Sequence, residues 1–164
     1  MVVTSTSANK SVKSFIGRLR KDFPQFAFEP GQQDHWSPKT NTITYKESVP
    51  LKAIQYGVLH ELAHACLGHY NYHNDFELLK LESQAWELAA KTGKKYGVVI
   101  SNDHIQDCLD TYRDWLHARS RCPTCGMHVL QKDPHHYHCF NCHTEWQVTS
   151  GRFVRPYRLR LNKQ

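Results

Sequence analysis

The sequence predicts an α+β protein in which a short sheet and several helices form one domain and a small cysteine module follows it. Helical and strand-like periodicities both occur before residue 119, which is typical of that fold class. The segment His60-Glu61-Leu62-Ala63-His64 places two imidazoles one helical turn apart, and two Cys-x-x-Cys pairs lie between residues 122 and 142. These two sets of side chains indicate two metal sites.

Length and composition limit the architecture. The 164 residues are enough for one domain of ordinary size and a small appendage, and 40% hydrophobic residues are enough for a core. No apolar run approaches the roughly 20 residues of a bilayer span. Residues 1–7 lack the charged and apolar regions of an export signal. We therefore expect a soluble cytoplasmic protein with no membrane partner.

The formal net charge of +6 is unevenly distributed. Residues 1–118 contain 13 Lys/Arg and 13 Asp/Glu, whereas residues 119–164 contain 8 and 2. The whole excess therefore belongs to the C-terminal part. A basic surface usually serves solubility, and nucleic acid or an acidic protein is the more specific interpretation.

The first third of the chain predicts a tail, a helix and two strands. Residues 1–11 are polar and Ser/Thr-rich, which predicts a flexible tail. Apolar residues at helical spacing predict a helix over 12–21, and a strand is expected at 25–28. The alternating, β-branched segment Thr42–Tyr45 predicts a second strand, which we expect at the edge of the sheet, where a substrate backbone would pair with it.

Three longer helices follow. The first is predicted over 51–67, after Pro50 and before Gly68. The second is predicted over 75–92, with Gly93 as its stop. The third begins at the capping residues Ser101-Asn102-Asp103 and continues through Leu116.

The change of pattern after Arg119 predicts the domain boundaries. Residues 12–119 form the first domain, and residues 120–150 form a zinc ribbon with four cysteine ligands. Residues 151–164 form a basic C-terminal tail.

The His60–His64 segment is the candidate reaction centre. Residues four apart share one face of a helix, so His60 and His64 can bind one zinc ion while Glu61 reaches its water as general base. Such a zinc lowers the pKa of the water toward about 7 and polarises a carbonyl. The alternative is an ordinary amphipathic helix, but three polar residues among apolar neighbours would be costly to bury without a partner.

A catalytic zinc needs a third protein ligand, and Glu82 is the preferred candidate. Its neighbours on a helix are apolar: Leu78, Leu79, Ala85, Trp86 and Ala89. A carboxylate in such a stripe needs a partner, and the alternatives to a metal ion are a structural ion pair and a hydrogen-bonded core acid. His73, beyond the helix end, is the alternative ligand, and Glu77 is a weaker one. His69 would point away unless the helix broke at Gly68.

These motifs carry a first resemblance. The segment His60–His64, then Gly68-His69, and the later Glu82-Ser83-Gln84-Ala85 are similar to the gluzincin-type ImmA/IrrE metallopeptidases over about residues 40–92. The resemblance implies a small zincin-type metallopeptidase domain that cuts regulatory proteins. It also implies that Glu82 is the third ligand.

A second resemblance competes with the first. SprT-like proteases share His-Glu-Leu-x-His, take a third histidine downstream and often end in a zinc ribbon. The segment His73-Asn74-Asp75-Phe76 is the counterpart of their third-ligand segment. This resemblance implies a DNA–protein crosslink protease with His73 as the third ligand.

The four ribbon cysteines predict a structural zinc. Cys122 and Cys125 are separated by 13 residues from Cys139 and Cys142, the spacing of two facing zinc knuckles. Four thiolates close a tetrahedral site, so this zinc should fold the module rather than catalyse. A redox dithiol is the rival interpretation. The remaining cysteines, Cys66 and Cys108, are expected to be buried free thiols.

The tail interleaves cations with aromatic residues, a composition suited to phosphate contacts and base stacking. Its candidate nucleic-acid-binding residues are Arg152, Arg155, Arg158 and Arg160. A solvated strand or a solubility tail is the alternative. We therefore predict a zinc endopeptidase with a protein substrate, two zinc ions and DNA as a candidate partner. A non-catalytic two-zinc adaptor for nucleic acid or protein is the competing class.

Overall fold

A computed structural model describes residues 4–149 and 158–161, with side chains from residue 11 onward. The fold is α+β, as predicted. The helices are α1 (Thr4–Asp22), α2 (Leu51–Leu67), α3 (Asp75–Lys95) and α4 (Asn102–Ser120). The strands are β1 (Ala27–Gly31), β2 (His35–Ser37), β3 (Thr42–Lys46), β4 (Gln131–Asp133), β5 (His136–His138), β6 (Glu145–Val148) and β7 (Arg158–Arg160).

The chain divides into two compact units. Unit 1 comprises Met1–Tyr70 and Gln84–Ser101, and unit 2 comprises Asn71–Ser83 and Asn102–Gln164. The helix α4 therefore groups with the cysteine module, whereas the sequence suggested a boundary after residue 119. Within the part of the chain that the structure describes, no helix is both long enough and apolar enough to span a membrane.

The sheet of unit 1 has the strand order β1-β3-β2. Strand β3 pairs in parallel with β1 and antiparallel with β2, so Phe28 and Trp36 both lie opposite Ile43. These three side chains are buried. The prediction that Thr42–Tyr45 forms an edge strand is wrong, because the short strand β2 covers its second side. The edges of this sheet are β1 and β2.

Helix α1 begins earlier than predicted. It starts at Thr4, so residues 4–11 are helical where the sequence suggested a flexible tail, and residues 1–3 lie outside the described residues. Its apolar face is as predicted, since every member is buried: Val12, Phe15, Ile16 and Leu19. Strand β1 begins two residues later and ends three residues later than the predicted 25–28, because a turn joins the amide of Phe26 to the carbonyl of Phe23.

Helix α2 has the predicted bounds, and its ends explain them. Pro50 precedes its first residue, and the Pro50 carbonyl accepts hydrogen bonds from the amides of Ala53 and Ile54. Gly68 ends the helix in the left-handed region at φ 66°, which glycine adopts without a steric penalty. The helix carries apolar residues around much of its circumference and forms the centre of unit 1.

Helix α3 passes through Gly93, so the predicted stop there is wrong. The reason for the glycine is close packing. A Cβ at this position would lie 2.8 Å from the carbonyl oxygen of Val98 and 3.2 Å from Cδ1 of Leu59. The chain reverses only at Gly97, whose φ is 74°. Gly93 therefore permits an approach of the chain that any larger residue would block.

Unit 2 contains the second sheet, with the antiparallel strand order β4-β5-β6-β7. Its core is small and includes two of the cysteines: Cys122, Val129, Tyr137, Cys139, Trp146 and Val148. The rings of Tyr137 and Trp146 stack with centroids 5.2 Å apart. A core of this size needs an additional constraint for independent stability, which is the role a structural metal supplies.

Two glycine substitutions in helices should have opposite effects on the free energy of unfolding. Gly93→Ala should destabilise the chain by about 1–3 kcal/mol, because the new methyl group overpacks against Val98. Gly17→Ala, in exposed helix with nothing within 4 Å of the added Cβ, should stabilise it by about 0.5–1 kcal/mol. Urea unfolding followed by circular dichroism checks both. Equal effects of the two substitutions would contradict the packing explanation.

Candidate metal centres

The histidine pair on α2 is the first candidate centre. The Nε2 atoms of His60 and His64 lie 3.1 Å apart, and the two rings are nearly perpendicular. His60 is 8% exposed. Two imidazole nitrogens this close must share a proton or a cation, because two lone pairs facing each other repel. The spacing of one helical turn therefore gives the convergence that the sequence predicts.

Glu82 joins this pair. One ligand atom from each of His60, His64 and Glu82 lies within 4.8 Å of the others. Glu82 is 6% exposed, as its apolar stripe predicted. Two imidazoles and one carboxylate are a donor set that fits zinc and leaves a fourth tetrahedral position open. This group could bind a metal ion.

His73 lies elsewhere. Its side chain is 87% exposed, and both its amide and its Nδ1 contact Oε2 of Glu77, at 2.6 and 3.0 Å. The His73 amide, followed by its imidazole, lowers the pKa of Glu77. Among the described residues, the metal-ligand group around His60 contains neither of these two candidates. They instead form a local arrangement at the start of α3, where Asn74 accepts a hydrogen bond from the Glu77 amide.

Two further side chains hold the histidine rings. The ring of Trp86 stacks on that of His60, with centroids 4.1 Å apart. Because α2 ends at Gly68, His69 folds back and its Nδ1 lies 3.0 Å from Nδ1 of His64. Each contact leaves the Nε2 atoms directed at one another. Such partners fix the ring orientation and tautomer of a metal ligand.

Sequence reasoning missed both of these contacts. The position of Trp86, one turn after Glu82, was a usable signal, since residues four apart share a helix face. The condition for His69 was recognised in the sequence, namely a helix break at Gly68, and the structure has that break. The contact partner of His69 is His64 itself.

Glu61 is tied to the sheet. Its Oε2 accepts a hydrogen bond of 2.8 Å from the backbone amide of Trp36 in β2. The preceding turn of α2 contains Gly57, where a Cβ would overlap Oδ2 of Asp34. Asp34 in turn accepts a hydrogen bond from the amide of Lys46 at the end of β3. Because Gly57 has no side chain, α2 can lie close to Asp34, which precedes β2. This close packing keeps Glu61 within hydrogen-bond distance of Trp36 in β2.

The four ribbon cysteines form the second candidate centre. All four are free thiols, and their sulfur atoms lie within 4.8 Å of one another. Sγ of Cys122 is 3.6 Å from that of Cys142, and Sγ of Cys125 is 3.5 Å from that of Cys139. Four sulfurs bound tetrahedrally to one zinc at about 2.3 Å would be roughly 3.8 Å apart. The observed spacing fits a metal and excludes disulfides in this state.

Hydrogen bonds favour the thiolate form at three of these positions. At Cys122, burial opposes the charged form, but the amides of Cys125 and Thr124 lower the pKa. The amide of Met127 lowers the pKa of Cys125, and the hydroxyl of Thr144 lowers the pKa of Cys142. Burial raises the pKa of Cys139 to about 11. A cation among the sulfurs is therefore the natural means of stabilising all four as thiolates.

The two remaining cysteines are free thiols, as predicted, but neither is fully buried. Cys66 is exposed, so its expected burial is wrong. It follows Ala65, the last buried residue of α2, where the helix emerges from the core. Cys108 is half-buried, with its sulfur 3.6 Å from Nε2 of His104.

Of the four predicted tail arginines, two lie in the described part of the chain. Arg158 and Arg160 belong to β7, and each donates a hydrogen bond to a backbone carbonyl, of Arg121 and Pro123 respectively. Because Arg121 and Pro123 flank Cys122, both arginine side chains lie next to the first cysteine pair. Arg152 and Arg155 lie outside the described residues.

Comparison with known proteins identifies no relative. No protein-family model, no curated protein and no solved structure matches the chain. The resemblances to the ImmA/IrrE and SprT-like proteases therefore stay predictions. The two centres are described by their donor sets and geometry alone.

Metal content should separate the two centres. Purified wild-type protein should contain two zinc ions per chain by elemental analysis. Glu82→Ala or His64→Ala should lower this value to one, whereas His73→Ala should leave it at two, because His73 contacts only Glu77 among the ligand candidates. Loss of zinc from the His73 variant alone would instead support the SprT-like ligand set.

Proposed function

We propose that the chain is a zinc-dependent endopeptidase that hydrolyses a protein substrate with Glu61 as general base. The observation that carries the proposal is the convergence of His60 and His64, at 3.1 Å, on the same point as the buried carboxylate of Glu82. A purely structural zinc usually has four protein ligands. Three described ligands leave room for a water or a substrate, which favours an enzyme over an adaptor.

A zinc ion held by His60, His64 and Glu82 would supply Lewis acidity, which would make a water more acidic and a peptide carbonyl more electrophilic. Glu61 follows His60 directly on α2, which places it next to the metal ligand in the chain. Glu61 accepts the proton of the attacking water and delivers it to the leaving amine. The hydrogen bond from Trp36 to Oε2 restricts the carboxylate to one orientation.

The strand β2 is the edge on which we place the substrate backbone. It is an edge of the sheet. Its Trp36 amide is already donated to Glu61, so a peptide paired to the other backbone groups of β2 would run beside the general base. The sequence placed substrate pairing on Thr42–Tyr45, but β3 is the central strand, so we place the pairing on β2 instead. Beside the strand, the ring of Trp36 packs on that of Tyr70, which is 64% exposed. The exposed ring of Tyr70, supported by the buried Trp36, offers an apolar surface to a substrate side chain.

Regulatory proteins and DNA-associated proteins are the substrate classes that the two resemblances imply. The first requires Glu82 as the third ligand, and the second requires His73. The burial of Glu82 beside the histidine pair supports the first. The exposure of His73 and its bond to Glu77 count against the second.

The general-base role predicts a specific kinetic loss. Glu61→Gln should keep two zinc ions but cleave an unstructured protein such as casein about 10²–10⁴-fold more slowly, because the amide cannot accept the proton. Glu87→Gln, an exposed glutamate of α3, is the matched control and should retain full activity. Undiminished cleavage by the Glu61 variant with zinc retained would exclude the proposed base.

A second candidate function is nucleic-acid binding by the cysteine module. It is favoured by the eight Lys/Arg against two Asp/Glu in residues 119–164 and by Phe140, which is 65% exposed on that module. Arg158 and Arg160 lie fixed on the same module. A module that carries both cations and an exposed aromatic ring is suited to single-stranded nucleic acid.

Charge reversal tests this function. Arg158→Glu with Arg160→Glu should weaken binding of a single-stranded oligonucleotide at least about tenfold at low salt, since phosphate contacts depend on cations. The control pair Lys91→Glu with Lys94→Glu makes the same charge change on exposed positions of unit 1 and should have little effect. Fluorescence anisotropy measures both. A flat wild-type titration at low salt would remove the function.

A further inference from the structure

Unit 2 contains a buried charged cluster that neither metal centre uses. Arg119 is 1% exposed, Asp75 is 8% exposed and Tyr137 is 1% exposed. Arginine and aspartate are seldom buried unless they are paired, because removing a charge from water is costly. A cluster retained at such a cost indicates that its members fix a particular arrangement of the elements that carry them.

The contacts of this cluster join three elements. The hydroxyl of Tyr137, in β5, donates a hydrogen bond of 2.5 Å to Oδ2 of Asp75, the first residue of α3. Nη1 of Arg119, near the end of α4, lies 4.0 Å from Oδ1 of Asp75. The Arg119 guanidinium also lies over the ring of Trp115, 4.3 Å from its centroid, and donates to the carbonyl of Pro134. Helices α3 and α4 and the ribbon sheet therefore meet at Asp75.

The ribbon end of this cluster depends on the cysteine centre. Tyr137 precedes the ligand Cys139 by two residues, and it is paired in register with Trp146. The indole of Trp146 donates a hydrogen bond to the carbonyl of Arg119. Since the ribbon core is small and includes two of the metal ligands, a bound metal orders β5 and thereby the hydroxyl of Tyr137.

The helix end of the cluster leads to Glu82. Asp75 and Glu82 are seven residues apart, which puts them two turns apart on one face of α3. Both belong to the part of α3 that groups with the ribbon in unit 2. Backbone hydrogen bonds make a helix stiff, so a movement of its first turn also moves the residues two turns later. The contacts of Asp75 therefore add a constraint on the position of Glu82, beside that of Trp86 one turn later.

We propose that Asp75, Tyr137 and Arg119 are positioning residues for Glu82, so that metal at the cysteine centre raises the affinity of the His60–His64–Glu82 centre for its own metal. The inference rests on the proposed function insofar as it takes Glu82 as a metal ligand. It assigns the ribbon a role in building the reaction centre. Coupling between two binding sites typically changes affinity about 5–150-fold and is reciprocal.

Cobalt(II) titration of the metal-free full-length chain separates the two centres. Cobalt bound by thiolates has charge-transfer absorption in the near ultraviolet, which cobalt bound by imidazole and carboxylate lacks. The wild type should fill the cysteine centre first and then the histidine centre. Replacing Cys122 and Cys142 together by serine should abolish the thiolate bands and weaken cobalt binding at the histidine centre at least about tenfold.

Substitutions in the cluster isolate its contribution. Tyr137→Phe keeps the ring stacked on Trp146 but removes the hydroxyl, so it should weaken the second cobalt at least about fivefold and leave the thiolate bands unchanged. Tyr96→Phe is the matched control. It removes another tyrosine–aspartate hydrogen bond, to Asp22 at 2.6 Å in unit 1, and should change neither centre.

Asp75→Ala and Asp75→Asn change the cluster at its α3 end, so they leave the residues of the ribbon itself unaltered. The alanine variant removes the acceptor and should weaken the second cobalt as Tyr137→Phe does. The asparagine variant keeps an acceptor oxygen for Tyr137 and should recover most of the affinity. Unchanged affinity in the alanine variant, or an equal loss in Tyr96→Phe, would overturn the proposal. A chain that shows the coupling but cleaves no protein would contradict the proposed function alone.

Discussion

The convergence of two imidazole nitrogens on α2 is the constraint on which the rest of the structure depends. With the Nε2 atoms of His60 and His64 3.1 Å apart in a largely buried helix, the surrounding residues must supply both orientation and charge balance. Trp86 and His69 supply the orientation through ring contacts. Glu82 supplies a negative charge that a bound cation would balance. Packing, electrostatics and proposed chemistry thus depend on one pair of atoms.

Local periodicity predicted the elements whose limits are set locally. The bounds of α2 follow from Pro50 and Gly68, and the cysteine cluster follows from the spacing of its pairs. Non-local contacts decided what was missed. The edge position of β3 failed because a strand of only three residues covers it, and no periodicity is visible over so short a segment. Gly93 resembles a helix stop until its contact with Val98 is known.

The candidate site shows the same division between local and non-local information. Glu82 could be predicted because a carboxylate in an apolar stripe needs a partner wherever the helix packs. The contact of Glu61 with β2 could not be predicted, since it joins residues 25 positions apart. The division of α3 between two units was equally hidden, because the helix is continuous in sequence and in hydrogen bonding.

The pairing of strand β7 with β6 affects how the protein can be shortened. Strand β7 pairs with β6 along Trp146, Gln147 and Val148, so that β6 is an interior strand of the ribbon sheet and the three-residue β7 forms the edge. A polypeptide shortened before residue 158 would leave the amide and carbonyl groups of β6 unpaired and facing outward. Unpaired strand edges of this kind recruit strands from other molecules and promote aggregation. Shortened versions would therefore keep the four-cysteine ligand group but be more prone to aggregate than the full chain.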